Sequence, residues 1–99
     1  MNYKLSKEAD NDLINLYLHG VKSFGEVQAE QYYFELEDCI KLLSETPLMC
    51  RERTEFTPAV RIHHHESHLI IYLIQEDHLF IIRILHDSVD IQRHLKNPE

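Results

Sequence analysis

Four side chains in the second half of this 99-residue chain have the types needed to cleave a phosphodiester: Glu55, Arg61, Arg83 and His86. Such a cleavage needs a base for the attacking hydroxyl, cations for the charge developing on the phosphoryl oxygens, and an acid for the leaving oxygen. Glu55 and His86 could serve as base and acid, with Arg61 and Arg83 as the cations. The surroundings argue against that use. No lysine occurs from residue 42 to residue 95 to add the positive charge that would hold phosphates. A formal net charge of −7 also opposes a chain-wide grip on nucleic-acid phosphates.

Arg83 stands inside an apolar run, where a lone guanidinium would be costly and must pair or reach water. Two readings stay open for it: an exposed cation on an open sheet face, available to a partner, or a structural arginine bonded to Asp90 or to C-terminal carbonyls. His86, three residues on, reads better as a strand-end hydrogen-bonding residue than as an acid catalyst. His63, His64 and His65 invite a metal. His63 and His65 share a strand face and His68 follows beyond a turn, so three imidazoles could converge. Zinc sites usually complete such a set with cysteine or carboxylate at fixed geometry. Cys39 and Cys50 have no such spacing, so half-exposed strand histidines are the better explanation, and neither metal nor cofactor is expected. The two cysteines read as free thiols of a reducing cytosol.

The charge is unevenly spread. Residues 1–50 carry nine acids against four lysines, whereas residues 51–99 carry eight acids, six bases, all five arginines and seven of the eight histidines. The start lacks an apolar signal core, and the longest apolar run, Leu69 to Ile74, is far short of the ~18 residues that suggest a membrane span. A cytoplasmic protein of one domain, residues 1–99, is expected: 43% hydrophobic residues support one core.

The elements that must position these residues follow from periodicity. Tyr3-Lys4-Leu5 predicts a short edge strand leading into Ser6, a good helix N-cap, with Glu8 and Asp10 in the first turn where the helix dipole favours acids. Ala9, Leu13, Leu16, Tyr17 and Phe24, with Val21 close by, recur at helical spacing, and Gly20 and Gly25 weaken the end near Ser23-Phe24-Gly25. A second helix runs from Glu26 through Ala29, Tyr32/Tyr33, Leu36, Cys39/Ile40 and Leu43, and is stopped by Pro47. The short connection makes the two helices antiparallel neighbours. Tyr32 and Tyr33, with Tyr17, are expected to pack the hairpin onto a sheet, one of the pair facing outward to anchor a partner.

Residues 48–58 are polar and irregular, and read as a loop. Three strands follow: Val60 to His65, alternating; Leu69 to Ile74, apolar on both faces; and Leu79 to Leu85. Glu66-Ser67 and Gln75 to His78 are short enough for hairpin turns. Asp87 or Ser88 could cap a last short helix carrying Val89, Ile91 and Leu95. The order is β-α-α-β-β-β-α, an α+β domain in which a helical hairpin covers one face of a small antiparallel sheet.

That order resembles the RelE/ParE toxin superfamily, and several segments resemble its ParE branch. Pro47-Leu-Met-Cys-Arg-Glu-Arg-Thr-Glu55 is similar to the family's proline-then-arginine stretch after the second helix. Arg61-Ile-His-His-His leads into Ser67-His-Leu-Ile-Ile-Tyr-Leu-Ile, like the family's central hairpin, here with Tyr72. Ile81-Ile-Arg-Ile-Leu-His86 followed by Asp90 looks like the ParE ending. Tyr3-Lys-Leu-Ser-Lys-Glu-Ala9 and Asp12-Leu-Ile match the usual start. One departure stands out. Such toxins commonly place glycine before the arginine of the loop, and Cys50 stands there instead. Glycine tolerates left-handed backbone angles that cysteine resists, so a rebuilt loop is expected, which puts any role of Arg51 and Arg53 in doubt.

The resemblance implies the toxin of a type II toxin–antitoxin module, not itself an enzyme, that poisons DNA gyrase by stabilising its cleaved-DNA complex. DNA is then met only through gyrase, and no membrane is involved. A ParD-like antitoxin is the implied silencing partner, in a hetero-oligomer, its C-terminal segment lying against an apolar groove along the hairpin and the sheet. Candidate contacts with target or antitoxin are Tyr32, Tyr33, Arg61, Tyr72, Arg83, His86 and Asp90. The alternatives are a RelE-like ribosome-dependent messenger-RNA endonuclease using Glu55, Arg61, Arg83 and His86, or an inactive antitoxin-binding relative.

Overall fold

A computed structural model describes residues 1–95 of the chain. The elements are strand β1 (Asn2–Leu5), helix α1 (Lys7–Phe24), helix α2 (Glu26–Glu45), a single 3₁₀ turn (Pro47–Met49), strands β2 (Glu52–Arg53), β3 (Val60–His65), β4 (His68–Ile74) and β5 (His78–His86), and helix α3 (Ile91–Leu95). The α+β plan with a helical hairpin is as expected from periodicity. Two short elements are new: the 3₁₀ turn runs into the 48–58 loop, and two residues of that loop pair with β3 as strand β2.

The sheet order is β1-β5-β4-β3-β2, with β3, β4 and β5 antiparallel to their neighbours and β1 parallel to β5. The sheet is therefore mixed rather than wholly antiparallel. Alternation along a strand identifies the strand but not its partner, and β1 meets a segment some seventy residues away.

Ser6 makes the passage from β1 to α1 rigid. Its hydroxyl accepts from the Ala9 N–H at 2.9 Å and donates to the Ile82 carbonyl at 2.8 Å, while its own N–H donates to the Ile81 carbonyl at 2.8 Å. One residue therefore caps α1 and ties it to β5. Between the helices lies Gly25 alone, at φ 92°, a backbone angle that favours glycine. Gly20 has a different function: a Cβ there would stand 3.2 Å from that of Ala29, so its missing side chain lets α1 and α2 approach closely. Nearby, Tyr17 and Tyr33 meet edge to face, ring centroids 6.0 Å apart.

Two apolar clusters sandwich the sheet. On the hairpin side Ala9, Leu13, Leu36, Ile40 and Leu43 pack on Ile70, Tyr72, Leu79, Ile81 and Ile84. On the other side Val60, Leu69, Ile71 and Leu85 pack with Leu95 of α3, and Phe56, Val89 and Ile91 join them. The second face is thus partly covered and not open. Phe24, placed on the buried stripe by its spacing, is 65% exposed because α1 ends there. The cap of α3 also differs from expectation. Asp90, not Asp87 or Ser88, accepts the Gln92 N–H at 3.1 Å, and Val89 lies before the helix.

Candidate functional site

Pairing in β4 and β5 slips by one residue: Ile71 faces Arg83 but Tyr72 faces Ile81, leaving Ile82 as an extra residue. Such a bulge bends the strand and re-aims its side chains. Because β1 pairs β5 only as far as Ile81, the backbone beyond it needs other partners. Ser6 takes the Ile82 carbonyl, and the Asp12 carboxylate of α1 accepts from the Ile84 N–H at 2.9 Å.

Arg83 completes this corner. Its Nε and one terminal nitrogen donate to the two Asp12 oxygens at 2.8 and 2.9 Å, a bidentate pair whose side chains are 22% and 14% exposed. The hydrogen bonds from Arg83 to Asp12 hold its guanidinium even further above neutrality than usual. Arg83 is therefore structural, but among the described residues its partner is Asp12 rather than Asp90, and the carbonyls of residues 96–99 lie outside the described residues. The picture of a free cation on an open sheet face is corrected accordingly.

Tyr72 is likewise removed from the contact surface. It is fully buried, and its hydroxyl donates to the Pro47 carbonyl at 3.0 Å. Burial, reinforced by the neighbouring Cys50, pushes its phenol far above the usual tyrosine value. A residue so enclosed cannot touch target or antitoxin in this conformation; it anchors the end of α2 to the sheet. Beside it Arg61, opposite Tyr72 in the register, donates to the Cys50 carbonyl at 2.6 Å. Cys50 itself has φ −103° and ψ 140°, ordinary extended backbone. Nothing left-handed is required there, so the expected rebuilding for lack of glycine is not needed. Of the two loop arginines, Arg51 is exposed, while Arg53 pairs with Glu55 at 2.7 Å and lies 5.5 Å from the Phe56 ring centre.

The four residues of the phosphodiester reading are thus engaged separately: Glu55 by Arg53, Arg61 by Cys50, Arg83 by Asp12, and His86 by Ser88 at 2.8 Å. None of them hydrogen-bonds to another among the described residues. Glu55 lines a cleft of about 360 Å³ with Phe56, Asp90 and Arg93.

Histidines gather instead at one end of the sheet. His65, His68 and His86 sit on adjacent strands in register, with the His68 and His86 rings 5.5 Å apart. Tyr32 of α2 lies over this row, its ring centre 5.6 Å from His65 and 5.5 Å from His68. Its hydroxyl donates to the His65 carbonyl at 3.3 Å and stands 2.7 Å from His68 Nδ1, so an Nδ1–H tautomer of His68 satisfies both. Burial, then the charge of His86, holds His68 below the ordinary histidine value. Each cysteine faces this strand too: Cys39 Sγ is 3.4 Å from His65 Nδ1 and Cys50 Sγ 3.8 Å from His63 Nδ1. His63 and His65 share a face, as alternation indicated, but His63 joins Cys50 and does not converge with the others.

The helical hairpin is not covered all round. Ile14 and Leu18, one turn apart on α1, are 50% and 57% exposed, and Val27 and Phe34 of α2 are 81% and 54% exposed. Sequence reasoning passed over these positions in favour of the buried stripe. It also missed Asp12 and Glu35 as pairing residues, since each acquires its partner only through tertiary contact.

A helical hairpin on a bulged mixed sheet, with apolar helix positions left exposed, defines a small α+β domain. The family model described as ParE toxin of type II toxin-antitoxin system, parDE, matches residues 3–91, and the chain belongs to that family. Toxin ParE1 of Caulobacter vibrioides is 30% identical over 93 residues, covering 94% of this chain and 96% of the relative. Toxin ParE1 of Mycobacterium tuberculosis is 31% identical over 94 residues, covering 94% of this chain and 96% of the relative. A solved structure of a chromosomal ParDE TA system from P. aeruginosa shares the fold, with a TM-score of 0.76 at 23% identity over 87% of this chain and 95% of that one. The chain is thus a ParE-type toxin of a type II toxin–antitoxin system. No helix among the described residues is long and apolar enough to cross a membrane.

Proposed function

We propose that this toxin acts by binding DNA gyrase in its cleaved-DNA state, and that a ParD-like antitoxin silences it by covering the helical hairpin. The observation that carries the reading is membership of the ParE family along residues 3–91. The separate engagement of Glu55, Arg61, Arg83 and His86 supports it against a messenger-RNA nuclease, which would need them together.

On this reading the toxin makes and breaks no bond. A ligand preferring the cleaved complex over the resealed one shifts the population by its difference in affinity; a hundredfold preference is ~2.7 kcal/mol, within reach of a few buried side chains. For the antitoxin, the exposed Ile14, Leu18, Val27 and Phe34 suit the apolar face of an amphipathic helix. Of the contacts expected from sequence, Arg61, His86, Asp90, Tyr32 and Tyr33 remain candidates.

The test is cleavage of supercoiled plasmid by purified gyrase with ATP, with and without the toxin. Protein-linked linear DNA should accumulate with dose and vanish when antitoxin is added. No linear product from folded toxin, together with cut messages on stalled ribosomes, would instead establish the nuclease.

A further inference from the structure

Glu35 on α2 and Glu66 in the β3–β4 turn converge on His65. The Nε2 of His65 is 3.3 Å from Glu35 Oε1 and 4.0 Å from Glu66 Oε2, and the three ligand atoms all lie within 4.8 Å of one another. From these separations we propose that His65, Glu35 and Glu66 form a site for a divalent transition-metal ion of the zinc type, with water completing the coordination.

Zinc takes imidazole nitrogen and carboxylate oxygen at roughly 2.0–2.2 Å, so ligand atoms around a tetrahedral ion stand roughly 3.3–3.5 Å apart. The His65–Glu35 separation already has this value, and Glu66, 66% exposed by its side chain, needs to close by less than an ångström toward His65. One imidazole with two carboxylates suits zinc, cobalt or nickel better than magnesium or calcium, which favour all-oxygen sets.

The imidazole is held for this use. Tyr32 packs against the His65 ring, and Cys39 Sγ lies beside Nδ1 at 3.4 Å. A ligating histidine commonly donates its other N–H to a fixed acceptor. With the proton on Nδ1, beside the Cys39 sulfur, the Nε2 lone pair is left for an ion close to both carboxylates. The bound ion would clip α2 to the β3–β4 turn at the sheet end carrying the histidine row. Spacing along the chain hides the site, because Glu35 belongs to a helix 30 residues before His65.

The experiment is titration of the full-length, tag-free, metal-stripped chain with Zn²⁺ by calorimetry, and with Co²⁺ by visible absorption. The expected result is one saturable ion per chain, reversed by chelator, with the strong visible bands of four-coordinate cobalt. Glu35→Gln and His65→Gln should each weaken Zn²⁺ binding by at least about tenfold, the lower range for losing even an indirect support of a metal site. Glu35→Gln keeps size and hydrogen-bonding capacity on a half-exposed helix position, so it tests the site without threatening the fold. His64→Gln, whose ring meets Asp87 instead, should bind as the parent chain does. Absence of saturable binding would overturn the site, as would Zn²⁺ affinity indifferent to both Glu35→Gln and His65→Gln.

Discussion

Asp12 and Arg83, 71 residues apart, close a bidentate ion pair at 2.8 and 2.9 Å, and the same carboxylate accepts the Ile84 N–H released by the bulge in β5. One acid thereby serves three donors where β5 has run past its neighbour β1. Removing it leaves a half-buried guanidinium and an unpaired backbone donor. Asp12→Ala should cost ~3 kcal/mol of stability. Asp12→Asn, whose amide oxygen can still accept from Ile84, should cost less. Urea unfolding of both variants checks this; an Asp12→Ala loss within about 0.5 kcal/mol of zero, the range of an indifferent surface change, would contradict the assignment.

Stability should fall as pH drops through the histidine range. His68 and His63 are both held below the ordinary value of 6.5 by burial, His68 further by His86 and His63 by His65 and His64, with Asp87 pulling His68 the other way. A depressed folded value means the unfolded chain binds more protons in this window. Their contribution is therefore present above about pH 6.5 and lost progressively below it. Urea midpoints measured between pH 7.5 and 5 should decline, and the double variant His63→Gln/His68→Gln should show a flatter slope.

Tyr72→Phe removes one oxygen from a fully buried ring and leaves the Pro47 carbonyl without its donor. The expected loss is ~1–2 kcal/mol, the usual range for a buried hydrogen bond broken on one side. In an alkaline absorbance titration the parent chain should retain a tyrosine that ionises only on unfolding, and Tyr72→Phe should lack it. Raised folded values act in one direction: this contribution is complete below the unfolded tyrosine value and disappears as pH rises past it.

Gly20 and Gly25 should both resist substitution, for different reasons. Gly20→Leu forces bulk into the 3.2 Å approach to Ala29 and should cost ~1–3 kcal/mol by overpacking. Gly25 has open space around it but sits at φ 92°, so Gly25→Ala should cost more than ~1 kcal/mol through backbone strain alone. Thermal unfolding of the two variants measures both; a stabilised Gly25→Ala chain would refute the second.

Cys50→Gly places at this position the glycine that the family resemblance led us to expect, yet it should not relieve any strain. Cys50 is extended and packs against the hairpin-side core. Glycine there should lower stability by ~1 kcal/mol through lost packing and added freedom in the unfolded chain. Growth arrest on induction should be unchanged; a stabilised or markedly more toxic Cys50→Gly chain would show that the loop is constrained after all.

Much of this architecture was legible in the chain itself. Ser6 with Glu8 and Asp10 marks the start of α1, Pro47 the end of α2, and two-residue alternation marks β3 to β5, because capping, proline geometry and side-chain period act between residues close in sequence. The ordered set of weak motifs was enough to indicate the ParE family. What sequence could not determine depends on distant partners. Arg83 inside an apolar strand demanded a counter-charge, but only the fold decided that Asp12 supplies it. Tyr72 looked like a contact residue until packing enclosed it, and β1 looked like any edge strand until it proved parallel to β5. Glu35, His65 and Glu66 are unremarkable in the chain and become a cluster only when α2 crosses the end of the sheet. Local free energies select the elements; which charges and ligands meet is decided by the way those elements stack, and no spacing along the chain encodes it.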